Sequence, residues 1–297
     1  MPQSVLLKEV LSTQYLNLLR CPLCHSPMEL IHKKSLICHG NHCFDLAKQG
    51  YVNLLSHGVK TKYNKHLFEA RKQLTQSGFF EPLTEAISQL ILACSLQAQQ
   101  GQELRILDAG CGEGSHLADI QQKLAQSLGK EPYSVGMDLA KEGIQMAARD
   151  YTTGFWCVAD LAQCPFGEEQ FDVILNILSP ANYSEFARIL RDDGLVIKVV
   201  PEKDYLKELR EIFFAQTDKQ DYSNKQTVEL FQNHLELFQT VPLHYSLLLE
   251  QPLLSSLVQM TPLAWGASEA QIQEALNLKS LNITVALTIL LGKKRGK

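Results

Sequence analysis

The sequence predicts an α/β protein: an open parallel sheet, preceded by a small unit folded around a metal ion. Three observations carry that prediction. The run Arg105-Ile-Leu-Asp-Ala-Gly-Cys-Gly-Glu-Gly-Ser115 is apolar, ends in Asp108 and breaks into three closely spaced glycines. Two further apolar runs end in Asp138 and Asp160, so that an acid closes each of three successive strands. Of the eight cysteines, four crowd into residues 21 to 43.

Whole-chain properties narrow the class. At 297 residues and 45% hydrophobic content the chain can bury a substantial core. A net charge of −4 gives no general attraction to nucleic acid, so any RNA-binding face has to be local. No stretch of eighteen apolar residues is present, which excludes a spanning helix. The N-terminal Ser4-Val-Leu-Leu-Lys-Glu-Val-Leu11 carries Lys8 and Glu9 inside its apolar pattern and lacks a basic start. That fits an amphipathic helix and not a secretory signal, and a cytoplasmic protein is expected.

Taken in order, residues 4 to 19 place Leu7, Val10, Leu11 and Leu18 at helical spacing. Cys21-Pro-Leu-Cys24 and Cys38-His-Gly-Asn-His-Cys43 then form two knuckles. Two thiolates on one tight turn, matched by a pair on another, place four ligands tetrahedrally around zinc. Cys21, Cys24, Cys38 and His42 are the chosen set, with Cys43 or His39 as rivals for the fourth position. A closed shell of four makes the ion structural and not catalytic. Residues 56 to 66 read as a linker, although Lys60, Lys62, Lys65 and nearby Arg71 with Tyr63 also suit RNA phosphates and bases. Two helical patterns flank Gly78-Phe-Phe80, before Pro82 at a helix start.

The strand Ile106-Leu107 empties into a turn where Gly110, Gly112 and Gly114 let a ligand approach backbone without a Cβ in the way. A dinucleotide fingerprint would place its third glycine where Ser115 stands. The stretch instead resembles the first motif of the Rossmann-like, class I S-adenosylmethionine-dependent methyltransferases. Asp138, one βαβ unit on, can accept ribose hydroxyls. The resemblance puts Asp160 near the adenine amino group. Phe171 to Leu178 and Gly194 to Val200 read as buried strands four and five. Leu243 to Leu249 and Asn282 to Leu291 close a seven-stranded sheet, the last strand being antiparallel in this class. Between strands four and five, Asn176, Ser179 and Asn182 are candidates to orient a substrate, against ordinary turn chemistry.

A more specific resemblance spans Cys21 to Trp265. The two knuckles, Phe44-Asp-Leu-Ala-Lys-Gln-Gly-Tyr-Val-Asn-Leu-Leu55, Arg71, Gly78-Phe-Phe-Glu-Pro-Leu83, Asp108 to Gly114 and Met260-Thr-Pro-Leu-Ala-Trp265 together resemble the ribosomal RNA large-subunit methyltransferase A family. That resemblance implies methylation of N1 of a guanine in a hairpin of 23S ribosomal RNA, S-adenosylmethionine as cofactor, one structural zinc, and a homodimer. It sets Phe80 and Tyr205 against the cofactor, beside Asp108, Gly110, Gly112, Glu113, Gly114, Asp138 and Asp160; Phe80 as core and Tyr205 as a solvent-facing residue stay open. Trp265 borders the base pocket or is plain core. Of the family's two branches, the one common in Gram-positive bacteria is favoured, and antibiotic resistance with it. The competing readings are a small-molecule methyltransferase and an inactive zinc-bearing RNA-binding protein. The expected units are an N-terminal extension (1–20), a zinc ribbon (21–55), linker and helices (56–98) and the methyltransferase domain (99–297).

Overall fold

The computed structural model describes residues 13–59, 61–95, 103–215 and 222–296. The start of the expected N-terminal helix, Lys60 and the boundary at 98/99 lie outside them. Helix α1 (Thr13–Leu18) leads into a three-stranded antiparallel sheet of β1 (Met28–Ile31), β2 (Ser35–Cys38) and β3 (Cys43–Asp45). After β4 (Val52–Asn53) come α2 (Lys65–Gln76) and α3 (Glu81–Ser95). A doubly wound series follows: β5 (Arg105–Ala109), α4 (Ser115–Leu128), β6 (Tyr133–Asp138), α5 (Lys141–Asp150), β7 (Phe155–Val158), β8 (Phe171–Ile177), α6 (Tyr183–Ile189) and β9 (Leu190–Pro201). Next are α7 (Lys207–Phe214), α8 (Lys225–His234), β10 (Glu236–Glu250), α9 (Leu253–Met260), α10 (Glu269–Asn277) and β11 (Ser280–Lys293).

The large sheet has the order β10-β11-β9-β8-β5-β6-β7-β4. Its first seven members are the strands expected from sequence, and β11 runs antiparallel to both neighbours. An eighth, β4, joins the far edge in parallel with β7. Sequence reading missed it because two residues carry no periodicity.

Strand alternation assigns the two faces. Ile106 faces a core with Leu117 and Ile120 of α4, Ile144 of α5 and Ile87 of α3, whereas Leu107 and Ala109 face the other way. That second face packs on Phe186 of α6 and Phe231 of α8, and on Leu18, Leu19, Met28 and Leu36 from α1 and the ribbon. Residues 15 to 19 are therefore anchored to the sheet: Tyr15 is buried with its ring 5.5 Å from Tyr133 and 5.8 Å from Phe155, and Leu18 and Leu19 are buried as well. Chain order at β5, β6 and β8 sets the site. In register Asp108 lies beside Gly136 and Leu175, and Asp138 beside Val158, so the acids collect at the carboxyl edge.

Candidate cofactor and substrate site

Each knuckle of the ribbon closes through a residue with positive φ, His25 at 60° and Asn41 at 60°. The Cys21 carbonyl accepts from His25 N–H at 2.8 Å, and the Cys38 carbonyl accepts from Asn41 N–H at 2.9 Å. These turns bring Cys21, Cys24, Cys38 and His42 together, with all four ligand atoms within 4.8 Å of one another. Three sulfurs and an imidazole nitrogen suit tetrahedral zinc, so the donor set fits the ion. Neither rival belongs to this group: Cys43 is exposed on β3 with its thiol directed at Asp45, and His39 is exposed as well. The Ser26 hydroxyl, 3.1 Å from Cys24 Sγ, lowers that thiol to about 6, where a metal-binding thiolate forms readily.

At the sheet edge two cavities adjoin. The smaller, about 450 Å³, is lined by Gly110, Gly112, Asp138, Asp160, Phe68, Tyr63 and Trp265 among others. The larger, about 620 Å³, is lined by Phe80, His116, Lys198, Tyr205, Arg210 and Met260 among others. Tyr63, Arg71, Ile177, Leu178, Ser179 and Pro180 belong to both, forming a common wall.

The glycines divide by role. Gly110 has φ 89°, and a Cβ there would overlap the Ser179 side chain. Gly112 has φ 59°, and its Cβ would stand 2.7 Å from an Arg71 guanidinium nitrogen. Both keep the cavity open. Gly114, at φ 84°, instead packs against Trp156, where a Cβ would stand 2.6 Å from the indole ring, and it does not line the cavity.

The acids divide likewise. Asp138 accepts from Gly112 N–H and Ala140 N–H, each at 2.8 Å, and stands on the cavity wall. Asp160 is exposed at the rim. Asp108 and Glu113 are buried behind the glycine turn, each with one carboxylate oxygen that lacks a hydrogen-bond partner among the described residues. Burial, then the charges of Asp138 and Glu113, pushes Asp108 up to about 8. Glu113 is raised too, by burial, against the Arg71 guanidinium 3.9 Å away. A cation in front of the glycines would draw these buried carboxyls back to their ionised forms, so the arrangement fits a ligand such as the sulfonium cofactor.

Phe80 is buried edge-on to His116 at 4.8 Å, so it is core and cavity wall at once. Tyr205 is partly buried on the larger cavity, its phenol raised to about 12 by burial. Burial, with Arg71 second, lowers His116 to about 3. Of the three substrate candidates, Ser179 lines both cavities. Asn176 is spent internally, donating to the carbonyls of Ala109 and Pro180 at 2.7 and 2.8 Å. Asn182 caps α6 by accepting from Glu185 N–H at 3.3 Å. Neither asparagine lines either cavity. Sequence reading missed Lys198, His116 and Arg210, which sit inside ordinary strand and helix patterns and carry no motif.

A family description, "RlmA, N-terminal", matches residues 19–65, and another, "Methyltransferase domain", matches residues 106–194. A Bacillus subtilis protein, YxjB, provisionally named a 23S rRNA (guanine-N(1)-)-methyltransferase, is 44% identical over 94% of this chain and 98% of its own length. The chain belongs to the RlmA family. A Streptomyces fradiae relative named 23S rRNA (guanine(748)-N(1))-methyltransferase is 29% identical over 91% of this chain and 95% of its own. In RlmA terms, the ribbon match ends at residue 65, where α2 begins, and the methyltransferase match covers the acids of the sheet edge.

Proposed function

We propose that this protein methylates N1 of one guanine in a hairpin of 23S ribosomal RNA, using S-adenosylmethionine. The observation that carries the reading is the pair of cavities with a common wall, one bordered by the glycine turn and strand-end acids, the other larger and lined by cations. The cofactor supplies a methyl group on a good leaving group, so the protein has chiefly to align two partners across that wall. Gly110 and Gly112 admit the cofactor, Asp138 faces its ribose and Asp160 its adenine. Phe80 and Tyr205 would border it on the side of the larger cavity, and Asp108, Glu113 and the Gly114 turn would shape the wall behind it. Ser179 and Pro180 face both reactants.

RNA contacts come from the connector and the ribbon. Lys62 Nζ lies 5.6 Å from the exposed Trp265 ring, and Tyr63 stands edge-on to the same ring at 5.3 Å. This arrangement suits a base unstacked from a loop. Lys65 is engaged with Glu69 at 3.4 Å. Family resemblance supports a homodimer enclosing one RNA cleft, which sedimentation equilibrium tests. It also supports the division into ribbon (21–55), linker and helices (56–98) and catalytic domain (99–297).

Transfer of labelled methyl groups to protein-free large-subunit RNA from a strain lacking the enzyme, followed by primer extension, tests the function. A stop at one hairpin guanine is expected. The position named for the Streptomyces fradiae relative, guanine 748, is the first to inspect, and with it the macrolide susceptibility of the strain. Cofactor binding with no label in RNA overturns the reading.

A further inference from the structure

Lys198 is a buried charge without an ionic partner among the described residues. It lies on β9 between β8 and β11, in register with Asn176 on one side and Leu290 on the other, and is 4% exposed. Its ammonium donates to Asn176 Oδ1 and to the Ser179 carbonyl, both neutral acceptors. Burial lowers it to about 8, and no neighbouring charge among the described residues offsets that. An ammonium has three N–H donors, of which two are accounted for. Buried charges are ordinarily paired because their desolvation is costly, and an apolar side chain would serve the strand better.

The surroundings show what the charge faces. Lys198 lines the larger cavity with Arg71 and Arg210, and no aspartate or glutamate is among the described lining residues. Arg210 is 8% exposed, and its Nε has no hydrogen-bond partner among the described residues. A chain with four more acids than bases has therefore kept its acids out of this cavity. The cavity is built for a group that carries or acquires negative charge.

We propose that Lys198 is a catalytic residue that donates its third N–H to O6 of the acceptor guanine and stabilises the negative charge reaching that oxygen as N1 gives up its proton. The proposal rests on the guanine-N1 reading above. The N1–H bond breaks, water in the cavity takes the proton, and N1 uses the released pair to bond the methyl carbon, while the pair of the broken C–S bond stays on sulfur. Between proton loss and bond formation the negative charge is shared by N1 and O6. A cation fixed beside O6 stabilises it without reorganisation. A carboxylate in the same lining would oppose it. Asn176 and the Ser179 carbonyl act as positioning groups that hold the ammonium on its line.

The test compares Lys198→Met and Lys198→Gln with the unaltered protein. The glutamine removes the charge and keeps an N–H donor on a side chain one atom shorter, so with the melting temperature it controls for folding. S-adenosylmethionine affinity and the melting temperature are measured first, then single-turnover methylation of a hairpin RNA carrying either guanine or 6-thioguanine at the target. Thioguanine gives up its N1 proton more easily and spreads the charge onto sulfur. Expected are unchanged cofactor affinity in both variants and a rate on guanine lowered about 100-fold. On thioguanine that deficit should shrink several-fold or more. Unaltered rates in both variants overturn the proposal. So does an equal deficit on the two bases, which marks a purely structural lysine. If the unaltered protein methylates neither RNA while binding the cofactor, the guanine-N1 reading itself fails, and the assignment of Lys198 to O6 goes with it.

Discussion

Gly110→Ala, alone and combined with Ser179→Gly, isolates the contact that keeps the cofactor cavity open. The alanine has two separable consequences. Gly110 has φ 89°, in the left-handed region, where a Cβ costs about 1–2 kcal/mol whatever surrounds it. The added methyl also overlaps the Ser179 hydroxymethyl, the group nearest to its position. Relief requires Ser179 to move towards one of the two cavities that it lines, and overpacking of this kind costs about 1–3 kcal/mol. Removing the Ser179 side chain should recover the second cost and leave the first. S-adenosylmethionine affinity, measured by calorimetry, should fall about tenfold or more in Gly110→Ala and change little in Ser179→Gly. The double variant should regain most of the loss, a coupling of about 1–2 kcal/mol. Urea denaturation without cofactor should give coupling of the same sign. A double variant as impaired as Gly110→Ala would refute the steric argument and leave backbone strain as the whole effect.

Three further outcomes are expected. Cys38→Ser should abolish stoichiometric zinc in atomic absorption and unfold the ribbon, whereas Cys43→Ser should retain the metal, since Cys43 points at Asp45 and not at the cluster. Folding raises the carboxyl of Asp108 to about 8, so the cofactor-free protein should lose stability as pH rises from the ordinary carboxylate range towards 8. Urea titrations at pH 5 and pH 8 should show a smaller loss in Asp108→Asn, and an identical slope in the two proteins would contradict the assignment. Of the two tryptophans, Trp156 is buried and Trp265 is 45% exposed at the cavity mouth. Adding hairpin RNA should therefore quench Trp265, and Trp265→Ala should lose that response with about tenfold of RNA affinity.

The sequence by itself determined the sheet and its acidic edge, because both are local. An apolar run ending in Asp108, repeated at Asp138, defines strands and their carboxyl ends without knowledge of neighbours, and the seven strands appear where those runs lie. Both knuckles were legible for the same reason, ligands two or three residues apart being held by a single turn. Tertiary structure alone decided the choice among His42, Cys43 and His39, since the turn through Asn41 carries His42 to the cluster while His39 and Cys43, at the start of β3, are exposed. It also decided that Asn176 and Asn182 serve the backbone, and that Phe80 is wall and core together. Above all it decided the larger cavity. His116, Lys198 and Arg210 come from α4, β9 and α7, up to 94 positions apart along a chain in which each looks ordinary. Their burial in one acid-free space depends on packing between distant elements, and no periodicity or spacing in the sequence encodes it.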